Sequence, residues 1–340
     1  MPRVTLKDIA REVGVSVMTV SNVVNGNSAR VSPETAARVE QAIAEHGYVP
    51  NAAAQSLAAR RTRLVGLLVP VGDDEASLLV SPHDVAVAGA VEVELRHRDH
   101  HLMLRGVENA ADVLDSVRRW TLDGVVVMGF TDDALTRLDL PDGLPAVIID
   151  GYVDDPRFAF VRSDDYEGGR LAGEHLVGLG HRAVLFCGPT SGTSRVVAER
   201  LAGFRAALDA HDVPLLGVVP ADTTWEAGLA AGGRVAAEFP EATAVFATAD
   251  VLAAGVVRGL VGAGRRVPRD VSVVGYDDAD LAQYVTPSLT TVRQDTVRKG
   301  KVAADLLLEV VVEERAPRTG DRIAVELVTR ESSARASRRA

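Results

Sequence analysis

The chain has 340 residues, 47% hydrophobic and 25% charged, with a formal net charge of -10 at pH 7. That length exceeds one ordinary core, so a small domain joined to a larger, two-part domain is expected. No apolar run reaches the roughly 20 residues of a spanning helix, no secretory h-region opens the sequence, and the lone cysteine, Cys187, excludes an internal disulfide. A cytoplasmic protein with no membrane partner is expected.

The charge is uneven. Residues 1–63 hold eight basic side chains (Arg3, Lys7, Arg11, Arg30, Arg38, Arg60, Arg61, Arg63) against five acids (Asp8, Glu12, Glu34, Glu40, Glu45) and are +3, so the remainder carries -13. A basic module on an acidic body suits a DNA reader with a separate regulatory domain, although chance alone gives such a fluctuation too. Only three lysines occur, Lys7, Lys299 and Lys301, so the arginine content also reflects composition bias.

The first stretch, VTLKDIAREVGVSVMTVSNVVNG from Val4 to Gly26, predicts two short helices about a tight turn. Thr5 caps the first, with Asp8 at the capping-box position, and Leu6, Ile9, Ala10 and Val13 share one face. Gly14 supplies the left-handed residue that ends it. Ser16 caps the second helix, in which Val20, Val23 and Val24 point inward while Val17, Met18, Ser21 and Asn22 stay outside. This is a helix-turn-helix pattern. Ser32-Pro33-Glu34 opens a third helix that runs to about His46 and stops at Gly47, with Ala36, Val39 and Ile43 as its apolar stripe. The run from Ala52 to Arg60 has helix propensity but is too short to be stable alone, because ordering each residue costs roughly 1–2 kcal/mol.

From Leu64 strands alternate with helices. Residues 64–69, 102–104, 125–128, 146–149, 183–186, 244–247 and 271–274 are short Val/Ile/Leu-rich runs, as in parallel strands buried on both faces. Amphipathic helices at 167–179 and 195–210 lie between them. The fold class is α/β, in doubly wound layers.

Residues 4–67, with the text VTLKDIAREVGVS, TVSNVVNG, VSPETAARVEQAIAEHGYVPNAAAQSLA and VGLLVP, resemble the DNA-binding headpiece and hinge of the LacI/GalR family of bacterial transcriptional regulators. Later segments also match: GEHLVGLGHRAVLFCGP, RLAGFRAAL, RRVPRDVSVVGYDDADLAQYVTPSLTTVRQD and LVTRESS. The resemblance implies an all-α headpiece at 1–50, a hinge helix and linker at 51–63, and an effector-binding and dimerisation domain at 64–331. That domain would be bilobal, like a periplasmic sugar-binding protein, with two doubly wound parallel sheets. Its first lobe would take 64–161 and 293–320, its second 162–292 and 321–331, and the chain would cross between them three times. Residues 332–340 are expected to be a disordered tail; with no leucine heptads they argue against a lac-type tetramer.

The implied partners are double-stranded operator DNA, a second copy of the chain, and a small-molecule effector, with a sugar as the leading class. Thr5, Ser16, Thr19, Ser21, Asn25, Tyr48 and Asn51 carry hydroxyl or amide groups suited to backbone phosphates. Val17 and Met18 suit thymine methyl groups, Asn22 an adenine edge, and Arg30 a guanine or a phosphate. Leu57 corresponds to the hinge leucine that wedges into the minor groove in that family, where unstacking is offset by the bend and wider contact it allows.

For the effector, Asp150 and Asp277 end strands, Arg200 starts RLAGF, and Trp225 lies in the loop after Val218-Val219. Carboxylates and a guanidinium bond sugar hydroxyls, and an indole stacks on ring C–H groups; a salt-bridge network at a lobe interface would use the same residues. The resemblance places these positions among effector contacts. One departure stands out: many relatives carry Asn-Asp where this chain has Ala249-Asp250, which weakens a lactose-like effector and leaves a smaller, modified or non-sugar ligand open. The alternative reading is a co-repressor-dependent or purine- or nucleoside-responsive regulator of the same family. An enzyme is not expected, since no phosphate loop, nucleophile elbow or zinc-protease motif is present. No cofactor or metal is expected either: Gly259, Gly262 and Gly264 sit at a helix end, and His97, His100 and His101 read as a solvated helix end and loop. A solute receptor would share the lobes but begin with an export signal.

Overall fold

A computed structural model describes residues 4–26, 30–48, 61–71, 79, 81–108, 110–138, 140–153, 155–190, 194–313 and 320–337. It divides into two compact units, Met1–Arg63 and Leu64–Ala340. In the first, α1 (Leu6–Val13), α2 (Val17–Val24) and α3 (Pro33–His46) enclose a small core of Ile9, Ala10, Val13, Val20, Val23, Val39 and Ala42. Gly14 and Gly47 take positive φ at the ends of α1 and α3, as their positions in the sequence required. The expected hinge positions Asn51 and Leu57 lie outside the described residues.

In the second unit, β1 (Leu64–Pro70), β2 (His101–Val107), β3 (Gly124–Met128), β4 (Ala146–Ile149), β5 (Ala159–Ser163) and β11 (Gly320–Ile323) form one parallel sheet, ordered β11-β5-β4-β3-β1-β2. A second sheet is ordered β12-β10-β9-β8-β6-β7, from β6 (Val184–Gly188), β7 (Leu215–Pro220), β8 (Ala244–Ala247), β9 (Ser272–Asp277), β10 (Thr290–Arg293) and β12 (Glu326–Val328). Its edge strand β12 runs antiparallel to β10, so this sheet is not wholly parallel. Three connections join the lobes: residue 164 after β5, residues 294–295 after β10, and residues 324–325 between β11 and β12. The third lies a few residues later than expected, because β11 still pairs with β5.

Alternation along the strands explains the uninterrupted apolar runs. Val65, Leu67, Val126 and Met128 enter the core on one face of the first sheet, while Leu68, Val125 and Val127 enter the core on the other. In the second sheet Leu185, Cys187 and Val245 divide from Val184, Phe186 and Phe246 in the same way. β2 departs from the expectation of two buried faces: it is an edge strand with His101, Leu104 and Arg105 exposed.

Helices cover both sheets: α4 (Pro82–His97), α5 (Ala110–Trp120), α6 (Asp132–Thr136) and α12 (Thr296–Val311) in the first lobe, and α7 (Asp165–Gly178), α8 (Arg195–Asp209), α9 (Trp225–Glu238), α10 (Asp250–Gly262) and α11 (Leu281–Tyr284) in the second. Gly259 has a packing role. A Cβ there would lie 2.2 Å from the Leu229 carbonyl oxygen, so the glycine lets α9 and α10 meet backbone to backbone.

The disordered tail expected from 332 is corrected for residues 332–337. Ser332 is wholly buried; its Oγ donates to Val273 O at 2.6 Å and accepts from Thr290 N at 2.8 Å, and Ala336 N donates to Leu179 O. The polar composition suggested disorder, but the tail is fastened by hydrogen bonds, with Ser332 bridging the starts of β9 and β10, inside the second sheet.

Candidate functional site

In the first unit the Asp8 carboxylate reaches back to Thr5, accepting from its N–H at 3.0 Å and its hydroxyl at 2.6 Å. The Thr5 hydroxyl is the main cause that holds Asp8 below the usual carboxylate range. Ser16 Oγ accepts from Thr19 N at 3.0 Å and fixes the first turn of α2, while Arg38 on α3 donates to Val13 O and fixes the turn before it. This framing presents Val17 and Met18 to solvent, 40% and 69% exposed. Asn22 and Ser21 are half-buried on α2, Asn25 follows it with its amide on Ser21 Oγ at 3.2 Å, and Arg30 is exposed. Tyr48 packs partly against the three-helix core.

In the second unit the strand ends converge. Asp150, just past β4, and Asp277, the last residue of β9, take φ of 57° and 116°. Such backbone costs on the order of 1–3 kcal/mol per residue and persists when surroundings hold it. Here the holding groups are polar. The Lys299 Nζ lies 2.8 Å from each Asp150 oxygen, 2.9 Å from Gln294 Oε1 and 3.2 Å from His83 Nε2. Gln294 Nε2 donates to Asp277 Oδ1 at 2.7 Å, and Ser163 Oγ donates to Gln294 Oε1 at 2.6 Å.

Beside this chain, Arg200 donates from Nε to Asp165 at 2.9 Å and from Nη1 to Thr248 O at 2.7 Å, with its guanidinium 3.6 Å from the Tyr276 ring centroid. Tyr152 OH donates to Asp165 at 2.9 Å. Asp132 on α6 accepts from Tyr152 N at 2.7 Å and from Arg195 N, on α8 of the other lobe, at 2.9 Å.

Burial works to raise Asp150, Asp165 and Asp277 alike, and the outcome depends on the partner. Asp165 and Asp277 end above the usual range because burial dominates. At Asp150 burial is overcome by nearby cations, Lys299 first, and the pKa falls. Burial alone would lower Arg200; Asp165, Tyr276 and Asp277 together more than offset it, and the guanidinium stays charged. The Thr248 hydroxyl is the one buried side-chain polar atom without a hydrogen-bond partner among the described residues.

Of the four residues expected at an effector site, the structure brings Asp150, Arg200 and Asp277 into one electrostatic neighbourhood, since Arg200 acts on both carboxylates. Trp225 instead opens α9, 42% exposed, outside the hydrogen-bonded cluster. Lys299, Gln294, His83, Ser163, Asp165, Tyr152 and Tyr276 were missed. Lys299 left a signal: it falls in helical phase with Ala303 and Leu306, a charge on an apolar face.

Two family descriptions match the chain: bacterial regulatory proteins of the lacI family over residues 5–51, and a periplasmic binding protein-like domain over residues 174–333. The HTH-type transcriptional regulator CelR of Thermobifida fusca is 34% identical over 342 residues, 97% of this chain and 98% of CelR. The HTH-type transcriptional repressor PurR of Mannheimia succiniciproducens is 32% identical, covering 96% and 98%. Among solved structures, the lac repressor dimer bound to operator and the anti-inducer ONPF superimposes with a TM-score of 0.87 at 28% identity, over 98% of this chain and 99% of that one. A CelR–cellobiose complex gives 0.73 at 32% identity, over 97% and 100%.

Proposed function

The chain belongs to the LacI family of bacterial regulatory proteins, and on that premise we propose that it is a homodimeric transcriptional repressor, reading operator DNA through α2 and controlled by a small carbohydrate at the Asp150–Arg200–Asp277 cluster. One observation carries the DNA half most directly: two apolar side chains, Val17 and Met18, stand exposed on the first turn of a capped helix beside Ser16 and Thr19 hydroxyls. Apolar groups flanked by phosphate-binding hydroxyls suit thymine methyls in a major groove. Asn22 and Arg30 are the further base contacts; Thr5, Ser21, Asn25, Tyr48 and Asn51 join Ser16 and Thr19 on phosphates, and Leu57 is assigned the minor groove.

For the effector, carboxylates of graded charge, a fixed guanidinium and the unpartnered Thr248 hydroxyl supply acceptors and donors for a polyol. The bound cellobiose of CelR favours a carbohydrate over a purine. We read the chain as a regulator rather than an enzyme, in keeping with its relatives.

A gel-shift titration on DNA from immediately upstream of the protein's own coding region tests the reading. Sequence-specific binding is expected, losing roughly 10³–10⁵ in affinity between 50 and 200 mM salt if six to ten phosphates are contacted. Met18→Ala is expected to narrow the gap between operator and scrambled DNA by about 1 kcal/mol while leaving non-specific binding unchanged. Equal affinity for both DNAs would contradict the reading.

A further inference from the structure

Lys299 is wholly buried, and its partners place it at the junction of the two lobes. A buried ammonium persists only where its protons are matched, and here they are: three N–H groups meet the Asp150 carboxylate, Gln294 Oε1 and His83 Nε2. His83 Nε2 faces the ammonium and accepts from it, which leaves the ring proton on Nδ1, 3.1 Å from Asp84. The ammonium therefore has nothing left to offer a ligand.

Its partners lie on both sides of the lobe junction. Asp150 and Lys299 belong to the first lobe, on β4's end and on α12; Gln294 is in the connection after β10; Asp277 ends β9 in the second lobe. Lys299 to Gln294 to Asp277 is thus a continuous hydrogen-bonded chain between the two acids assigned to the effector, and Ser163, the last residue before another connection, is fastened to the same amide. The protein spans its own lobe junction with a cation, as a bridging ligand would.

We propose that Lys299 is a tethered ligand of the cleft: it joins Asp150 to Asp277 through Gln294 and holds the lobes in the operator-binding arrangement, so that this repressor needs no co-repressor and its effector acts as an inducer. The proposal rests on the regulator reading above and adds its sign. An incoming polyol that engages Asp150 and Asp277 competes with the Lys299–Gln294 chain for the same oxygens, and the lobes lose their link. Lys299 does not touch the effector in this scheme; it is a positioning residue acting through Asp150 and Gln294.

The test is operator affinity of the full-length, extensively dialysed chain on its upstream fragment. Wild type is expected to bind without any added small molecule, and Lys299→Ala to bind roughly 5- to 150-fold more weakly, the usual range of a coupling between sites. n-Propylammonium chloride, which replaces the atoms removed beyond Cβ, is expected to restore Lys299→Ala, whereas sodium chloride at equal ionic strength is not. Such rescue distinguishes a bridging cation from a merely structural side chain.

Wild-type affinity in Lys299→Ala, or a loss that n-propylammonium does not restore, overturns the proposal. If the alanine variant does not fold, Lys299→Met keeps the stem without the charge: weakened operator binding with intact non-specific DNA binding supports the bridge, and wild-type operator affinity overturns it. Wild type that binds the operator only after a sugar or purine is added overturns the tethered ligand and leaves the regulator reading standing. Absence of specific binding under every condition sinks both.

Discussion

At the residue scale the second unit is governed by how its buried charges are matched. Asp165 has a side chain 1% exposed and relies on Arg200 as its cation. Removing one partner of such a pair leaves an uncompensated charge in a low dielectric, so Arg200→Ala is expected to cost roughly 3–5 kcal/mol of folding stability, read by chemical denaturation. Arg200→Ala with Asp165→Ala should recover part of that loss. Ser332→Ala leaves Val273 O and Thr290 N without their partner and is expected to cost about 1–3 kcal/mol by the same measurement.

His175 and His181 hold the same tail, through Ser333 Oγ at 2.8 Å and Ala334 O at 3.0 Å, and burial lowers both pKa values. As pH falls through about 6.5, the unfolded chain takes up protons that the folded one refuses. The stability they contribute is full above that pH and is lost on the way down to their folded pKa values. Asp165 and Asp277, raised by burial, act in the opposite sense. The histidine part is therefore read as a difference: between pH 7.5 and 5.5 the melting temperature of a His175→Gln/His181→Gln variant should fall less than that of wild type. Asp150 and Asp277 were legible as candidates because each follows an apolar run, and open α/β sheets place ligand sites outside the carboxyl ends of their strands. Lys299 could be read only as a charge on an apolar helix face, and Gln294 not at all, because nothing local to their own sequence places them beside β4 and β9.

At the scale of elements, what was legible was what local chemistry dictates. The caps of α1–α3 follow from Thr5, Ser16 and Ser32, the stops from Gly14 and Gly47, and the central strands from their apolar runs. The strands missed, β5, β7, β10, β11 and β12, include three at sheet edges, where pairing with a neighbour rather than burial on two faces defines the strand. Two glycines separate the kinds of constraint. At Gly14, φ is +72° and nothing lies within 4 Å of an added Cβ, so Gly14→Ala is expected to cost only the left-handed penalty, roughly 1–2 kcal/mol. At Gly232 the backbone is ordinary, but a Cβ would stand 2.3 Å from Val256 O, so Gly232→Ala must force α9 and α10 apart. The larger loss is expected at Gly232, compared by denaturant midpoint.

At the scale of the whole molecule, a basic headpiece segment and an acidic two-lobed body divide the work of reading DNA and sensing a small molecule. The bilobal architecture was legible from alternating strands and helices together with the family resemblance. The proposed direction of control was not, because it rests on groups that meet only after three connections have been threaded between two sheets. Regulation requires that the two functions be coupled: a sugar that binds the cleft must prefer one arrangement of the lobes, and its effect on operator affinity equals that preference. The most direct measurement is a fluorescence-anisotropy titration of the upstream DNA fragment with full-length protein at fixed salt, with and without each sugar that raises the protein's melting temperature. Operator binding in the protein alone, weakened roughly 5- to 150-fold by a sugar that binds, is the expected result. A sugar that binds the protein and leaves operator affinity unchanged would contradict it.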